Sequence, residues 1–278
     1  MAQFTNQAQL TYGNVVANSN VAVGEILTAV TATKTAIRQS YTQGSTITYI
    51  ISIINSGNTN ATGLSVNDNL GEYEFGVGTL VPLTYIDGTI LYFINGVLQP
   101  SPTVDTTNGL TITDVSVPAN GTAILVYETE VNEFAPINDG GTITNSATIT
   151  GECANVVAEE SVNAISSPQI SITKAVSPIP VSCGERVTYT FLIQNSGALG
   201  LIATDNAVVT DTFNPILSDV TATLNGAPVS FTYDEATGAF STTAGAVTVP
   251  PATITQDLTT GAWTVTPGSS TLVVTGII

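Results

Sequence analysis

The sequence predicts an all-β protein of two tandem sandwiches that follow a short N-terminal hairpin segment. Thr, Val, Ile, Asn, Ser and Gly alternate in short runs that end at turn signals such as NSG, NG, DG and PG. A hydrophobic fraction of 43% over 278 residues is enough for buried cores. An internal repeat also divides the chain into two similar halves, which is typical of tandem domains.

The repeat defines the strands that each half should contain. Residues 30–57, VTATKTAIRQSYTQGSTITYIISIINSG, align without a gap with residues 170–197, ISITKAVSPIPVSCGERVTYTFLIQNSG. Later landmarks recur in the same order: VNDNL and VTDTF, INGV and LNGA, TAILVYE and STLVVTG. Each half therefore predicts strands A to E of a seven-stranded immunoglobulin-like Greek-key sandwich.

The first half continues into two further strands, F and G. They correspond to ITNSATITG at residues 143–151 and VVAEESVNAI at residues 156–165, whereas the second half ends at strand E. The N-terminal text FTNQAQLTYGNVV, residues 4–16, repeats the F-G text ITNSATITGECANVV of residues 143–157. The expected organisation is a donor F-G segment at residues 1–28, a complete domain at 29–166, and a second domain at 167–278 that lacks F and G.

The N-terminal pair is expected to complete the second domain of another copy. The few residues between strand G, near Val21–Val23, and strand A at Val30 span roughly 20 Å, too short for the pair to reach its own second domain. Strand addition from copy to copy is a heterologous contact and produces a filament. The side chains predicted to fill the acceptor core are Phe4, Ala8, Leu10 and Val15. The alternative is an ordinary extra hairpin on the first domain.

The charge balance restricts the classes of partner. Four basic against 21 acidic residues, with no His, give a net charge of −17, which argues against nucleic acid and against anionic membranes. An acidic Ca²⁺ site is an alternative to a merely soluble surface. We find no metal-ligand cluster, phosphate loop, nucleophile-base pair or apolar run that could span a membrane. We therefore expect no cofactor, no metal and no enzyme activity on a substrate.

The two lysines of the chain, Lys34 and Lys174, occupy the same repeat position. The two-residue period of a strand places them on the apolar face of strand A. A buried ammonium group needs a partner or must lose its charge. Strands C and F, in the opposite sheet, supply Asp68 and Asn145 in the first domain. They supply Asp211, and Asn6 of the donor segment, in the second.

These residues suggest two kinds of chemistry. One is a buried Lys-Asp ion pair with a hydrogen bond from Asn. The other is an isopeptide bond, in which a neutral lysine attacks the Asn amide, a protonated Asp hydrogen-bonds to that amide, and ammonia leaves. The predicted bonds are Lys34 to Asn145 within one chain, assisted by Asp68, and Lys174 to Asn6 between chains, assisted by Asp211. Glu128 is an alternative acid in the first domain, but its counterpart in the second is Gly276, so it cannot serve both domains.

The two cysteines predict an interchain contact. Cys153 falls in the F-G turn of the first domain and Cys183 in the A-B connection of the second, at opposite ends of the predicted two-domain rod. In a head-to-tail polymer, Cys183 of one copy would meet Cys153 of the next and form a disulfide. Two unrelated thiols remain the alternative.

The motifs TKT at 33, ITYIISIINSG at 47, VNDNLG at 66 and ITNSATITG at 143 resemble the conserved immunoglobulin-like repeat domain of Gram-positive surface proteins. The resemblance covers nearly the whole chain. The placement of Lys, Asp and Asn is similar to that in isopeptide-bonded pilins and adhesins. Self-assembly by strand donation is similar to that of endospore appendage subunits.

The sequence thus predicts a structural protein of the cell or spore surface that assembles with itself into an extracellular filament. The alternative is a monomeric surface adhesin or stalk that binds a glycan or a protein. The aromatic segment YIDGTILYFINGVLQP is the candidate surface for that second function.

Overall fold

The computed structural model describes residues 2–26, 29–151 and 154–278. Regular structure in these ranges is β-strand, apart from a 3-10 turn at Ala203–Asp205. The all-β prediction is confirmed. No helix long and apolar enough to cross a membrane occurs in these ranges.

The strands fall into three groups along the chain. The N-terminal segment holds β1 (Ala2–Asn6), β2 (Gln9–Tyr12), β3 (Val15–Asn18) and β4 (Ala22–Ile26). The first repeat holds β5 (Val30–Ala36), β6 (Ser40–Tyr41), β7 (Thr46–Asn55), β8 (Ala61–Asp68), β9 (Tyr73–Phe75), β10 (Gly78–Leu80), β11 (Leu83–Tyr85), β12 (Leu91–Ile94), β13 (Val97–Leu98), β14 (Thr103–Asp105), β15 (Leu110–Val117), β16 (Gly121–Val131), β17 (Thr142–Gly151) and β18 (Ala154–Ala164). The second repeat holds β19 (Ile170–Ser177), β20 (Arg186–Asn195), β21 (Thr210–Thr212), β22 (Ser218–Leu224), β23 (Ala227–Pro228), β24 (Phe231–Asp234), β25 (Ala239–Thr242), β26 (Thr253–Gln256), β27 (Trp263–Thr266) and β28 (Gly268–Ile277).

The chain divides into two compact units. One lies within residues 1–39, 45–131 and 144–161, and the other within residues 40–44, 132–143 and 162–278. Short segments that the sequence assigns to the first domain therefore group with the second unit. The domain boundaries at residues 29 and 167 stay predictions.

The first repeat forms two sheets over one core. One sheet has the order β13-β12-β16-β7-β5, and the other has the order β14-β15-β8-β17-β18-β6. Buried and less buried residues alternate along β7, β16 and β17, as expected for strands that turn one face to a core. Predicted strands A, B and E thus lie in one sheet and strands C, F and G in the other.

The second repeat contains only part of this arrangement. Its larger sheet has the order β19-β20-β28-β22-β23, and a smaller one has the order β21-β25-β24. A core cluster that includes Val187, Phe213 and Leu272 lies within this repeat. In the first repeat β8 pairs with β15 on one side and with β17 on the other, whereas among the described residues β21 pairs with β25 alone.

Strand register confirms the repeat in the structure. It also shifts the match between TAILVYE and STLVVTG by one residue. Lys34 lies opposite Ile51, and Lys174 lies opposite Phe191 at the equivalent position. Tyr49 lies opposite Tyr127, whereas Tyr189 lies opposite Val274. The strand begins at Gly121 in the first repeat and at Gly268 in the second, opposite Asn55 and Asn195, so the counterpart of Glu128 is Thr275 and not Gly276.

The N-terminal segment is a long two-stranded hairpin. β1 pairs with β4 and β2 pairs with β3, with Gly13 at positive φ in the turn. Each residue from 4 to 23 is exposed, and Gly24 is half-buried. Phe4 lies opposite Gly24 and its ring occupies the space of the missing side chain. An isolated two-stranded hairpin is only marginally stable in water, so this segment needs a surface to cover it.

Candidate functional site

The centre of the first repeat holds an ion pair between its two sheets. Lys34 comes from β5 and Asp68 from the end of β8, and the Lys34 Nζ lies 2.5 Å from Asp68 Oδ2. Both side chains are fully buried. The two-residue period of the strands aims each of them inward among apolar neighbours. The structure therefore places this predicted pair in direct contact.

Burial changes the acid-base behaviour of the lysine. Loss of solvent lowers the pKa of Lys34 from 10.5 to about 8, although the charge of Asp68 and its hydrogen bond act in the opposite direction. The ring of Tyr49 also lies beneath the amine, with Nζ 4.9 Å from its centroid. A lysine with this pKa has a neutral, nucleophilic fraction near neutral pH.

Asp68 is fully engaged as a hydrogen-bond acceptor. Its Oδ2 accepts from Lys34 and from the Tyr127 hydroxyl, and its Oδ1 accepts from the backbone N–H of Leu70 at 2.9 Å. We expected Asp68 to hydrogen-bond to the Asn145 amide, and the structure differs in this contact, because other donors occupy both carboxyl oxygens. The protonation of Asp68 stays a prediction.

Asn145 is the unusual member of the site. It comes from β17 and is fully buried, yet neither Nδ2 nor Oδ1 has a hydrogen-bond partner. The Tyr49 hydroxyl is buried without a partner as well. Asn145 is close enough to Tyr49 and Tyr127 to lower their pKa values, against the larger upward shift that burial causes, but no pair of atoms reaches hydrogen-bond geometry. The core of the first repeat thus contains three unsatisfied polar atoms on Tyr49 and Asn145.

Tyr127 is the residue that sequence reasoning missed. It is fully buried on β16, stacks on Tyr49 with ring centroids 5.9 Å apart, and donates to Asp68. Glu128, the alternative acid, is the next residue along the strand and alternates to the opposite face. The alternation of β16 could have identified Tyr127, but Val274 replaces it in the second repeat, so the repeat gave no signal.

The second repeat holds the same pair in an open setting. Lys174 Nζ contacts Asp211 Oδ2, but the side chain of Lys174 is 39% exposed and that of Asp211 is 17% exposed. Aromatic rings surround the amine, with centroids 4.7 Å away for Tyr189, 5.1 Å for Phe213 and 5.4 Å for Phe191. The site therefore has the chemistry of the first one without its cover.

The lack of cover extends along the whole strand. Along β5, Val30, Lys34 and Ala36 are buried, whereas every residue of β19 is exposed, and Ile172 is 51% exposed. The open edge of β21 lies on the other side of this core. In the first repeat β17 and β18 occupy the equivalent position beside β8. The face of β19 is therefore exposed, whereas the equivalent face of β5 is buried.

The predicted donor residues all lie on the exposed hairpin. Phe4 is 54% exposed and Leu10 is 70% exposed, and Ala8 and Val15 are also exposed. Asn6 lies on β1 opposite Ala22, and its side chain is exposed. The meeting of Asn6 with Lys174 of another copy stays a prediction.

Three further predictions concern the cysteines, the aromatic segment and metal binding. Cys183 is a free, exposed thiol, and Cys153 lies outside the described residues, so the disulfide stays a prediction. In the aromatic segment Tyr92 is buried and its hydroxyl bonds to the backbone of Ser116, so this ring is not available at the surface. The part of the chain that the structure describes holds no cluster of three or more His, Cys, Asp or Glu that could bind a metal.

Comparisons with known proteins give structural likeness only at a low level. No family model and no curated relative matches the chain. The pilus backbone of Streptococcus pneumoniae is 12% identical, with 86% of this chain and 55% of that chain covered, at a TM-score of 0.35. The major pilin subunit BcpA of Bacillus cereus is 15% identical, with 96% and 73% covered, at 0.34. A collagen-binding domain from a Staphylococcus aureus adhesin is 11% identical, with 48% and 96% covered, at 0.31.

Proposed function

We propose that this chain is the structural subunit of an extracellular bacterial filament, a pilus or a spore appendage, that polymerises head to tail by donor-strand complementation. The N-terminal hairpin of one copy would fill the open core of the second repeat of the next. The observation that carries the proposal is the uncovered apolar face of β19, because the same face of β5 is buried in the first repeat.

The first repeat supplies a template for the contact. On β17 the inward residues are Ile143, Asn145, Ala147 and Ile149, and all four are buried. The hairpin carries Phe4, Asn6, Ala8 and Leu10 in the same spacing. Burying each large apolar side chain contributes about 1.5–3 kcal/mol, and the open backbone edge of β21 gains hydrogen bonds from an added strand.

The contact is directional. The donor hairpin and the acceptor face are different surfaces of one chain, so each added copy presents a new open face. Growth therefore continues in one line. We propose that the chain acts on no external substrate, needs no cofactor, and has other copies of itself as its partners.

We further propose that isopeptide bonds reinforce both sites. The neutral Lys34 amine attacks Cγ of Asn145, and its nitrogen passes a proton through Asp68 to the departing Nδ2. The C–Nδ2 bond breaks, one ammonia leaves, and an amide bond joins the two side chains. In the polymer, Lys174 and Asp211 would do the same with Asn6 of the neighbouring copy. The unsatisfied amide of Asn145 supports this, since an unpaired buried polar group costs about 1–3 kcal/mol and bond formation consumes it.

The test is denaturing electrophoresis of the full chain after boiling in SDS with reductant, together with intact-mass analysis. We expect a ladder of covalent polymers, and the loss of one ammonia for each bond. Lys174→Ala should collapse the ladder to a single band that still lacks one ammonia. Lys34→Ala is the matched control and should keep the ladder.

Two results would contradict parts of the proposal. A single band of unmodified mass from the parent protein would rule out both bonds. Electron micrographs without filaments would rule out strand donation itself. The cysteines add a separate readout, because a Cys183 to Cys153 link between copies would appear only when the reductant is left out.

A further inference from the structure

The first site contains a hydroxyl that the reaction needs and the folded ground state does not use. When the amine of Lys34 attacks Asn145, negative charge develops on Oδ1 of the asparagine. A hydrogen-bond donor aimed at that oxygen stabilises the transition state. Asp68 cannot be this donor, because both of its oxygens already accept hydrogen bonds.

The hydroxyls near Asn145 differ in how they are engaged. Tyr127 already donates its proton to Asp68. Tyr49 is buried, and its hydroxyl has no partner among the described residues. The nearby side chain of Asn145 lowers the pKa of Tyr49, although burial raises that pKa by more. Asn145 Oδ1 is also unpartnered. The unpartnered hydroxyl of Tyr49 and the unpartnered amide of the nearby Asn145 therefore lie in one buried site.

We infer that the Tyr49 hydroxyl donates to the oxyanion that forms on Asn145 Oδ1, and that Tyr189 has the same role in the bond from Lys174. This inference rests on the isopeptide chemistry proposed above. Strand register makes the two tyrosines equivalent, because Tyr49 lies opposite Ala36 on β5, and Tyr189 lies opposite Val176 at the same position on β19.

The second repeat has a counterpart of only one of the two tyrosines of the first site. Tyr189 retains the place of Tyr49, and Lys174 Nζ lies 4.7 Å from its ring centroid compared with 4.9 Å at the first site. Tyr127 has no counterpart, since Val274 stands there. The hydroxyl common to both sites is therefore the one placed to serve the reaction, and Tyr127 orients Asp68 in the first site alone.

The experiment follows ammonia loss over time by intact mass after a short pulse of cell-free synthesis of the full chain. An Asn6→Ala background leaves only the bond in the first repeat. Tyr49→Phe should slow this bond by about a hundredfold, the loss typical of an oxyanion donor. Tyr189→Phe in an Asn145→Ala background should slow the bond between copies in the same way.

A second readout distinguishes catalysis from folding. In a Lys34→Ala background, where no bond forms in the first repeat, Tyr49→Phe should leave the thermal midpoint unchanged or raise it, because the hydroxyl it removes has no partner. Tyr127→Phe should lower that midpoint, because it removes a donor from buried Asp68.

The outcomes are distinct. An unchanged rate in Tyr49→Phe overturns the inference while the isopeptide proposal stands. A slower rate accompanied by a lower midpoint in the Lys34→Ala background also overturns it, since the effect would then be on the fold. Absence of ammonia loss in the unsubstituted chain overturns both.

Discussion

Lys34 and Lys174 stand at one register position of two repeated strands and meet different surroundings. Lys34 is fully enclosed, and burial lowers its pKa to about 8. Lys174 has the same kind of carboxylate partner but is 39% exposed. Since the strand, the spacing and the partner are equivalent, the difference arises from the strands that cover the first lysine. Burial beneath these strands therefore accounts for the lowered pKa of Lys34.

At the residue scale we predict a pH dependence for the bond between Lys34 and Asn145. The nucleophile in the proposed reaction is the neutral amine, so Lys34 must lose its proton before it attacks. Because the folded-state pKa of Lys34 is about 8, the rate of ammonia loss in the Asn6→Ala chain should rise with pH up to about 8 and level off above it. Intact-mass time courses at steps of about one pH unit, from about pH 6 to about pH 10, would measure the rate of ammonia loss. A lysine with a lowered pKa titrates within this range.

The opposite slope would revise the mechanism. If the reactive pair carried a shared proton, with neutral Lys34 and protonated Asp68, the rate would fall as the pH passes about 8, because that proton is then lost. A flat profile would contradict a rate-limiting role of Lys34 ionisation.

At the scale of elements, the hairpin and β19 both expose apolar side chains to solvent. The apolar side chains of the hairpin, such as Leu10 and Val15, are exposed, and the residues of β19 are exposed as well. The first repeat joins equivalent elements in one chain, where β17 lies beside β8 and buries Ile149 completely. In the proposed assembly, the contact that the first repeat makes within one chain would form between copies at the second repeat.

Neighbouring residues of β2 provide a matched test of this contact. Leu10 corresponds to buried Ile149 and is expected to face the acceptor core, whereas Thr11 points to the other face of the strand. Leu10→Asp should abolish filaments, since burying an unpaired carboxylate costs several kcal/mol. Thr11→Asp adds the same charge and should leave assembly intact. Sedimentation and electron microscopy of both variants would decide, and equal behaviour of the two would contradict the predicted orientation.

At the scale of the whole molecule, the proposed polymer would have two different ends, because each chain would supply one donor and one acceptor. A copy without residues 2–26 keeps the open face of the second repeat and loses the hairpin. Such a copy can receive a donor and cannot offer one. It should therefore stop growth at the end where it binds.

We predict that substoichiometric amounts of this shortened chain reduce filament length in proportion to its share of the mixture. Electron microscopy of mixed samples would give the length distribution. A shortened chain that also carries Ile172→Asp should lose the effect, because its acceptor face is damaged. Unchanged lengths with the first variant would contradict donor-strand assembly.

The sequence by itself determined the all-β class, the two repeats, and the positions of Lys34 and Asp68 on facing strands, because these follow from a two-residue period and a repeated text. The F-G likeness of the N-terminal segment was also visible in the letters alone. Tertiary structure decided which side chains meet: that Tyr127 engages Asp68, that Asp68 leaves Asn145 unpaired, and that Lys174 stays open. These features depend on contacts between strands far apart in the chain, where one residue of register or one missing strand changes what a side chain touches, and no local pattern records them.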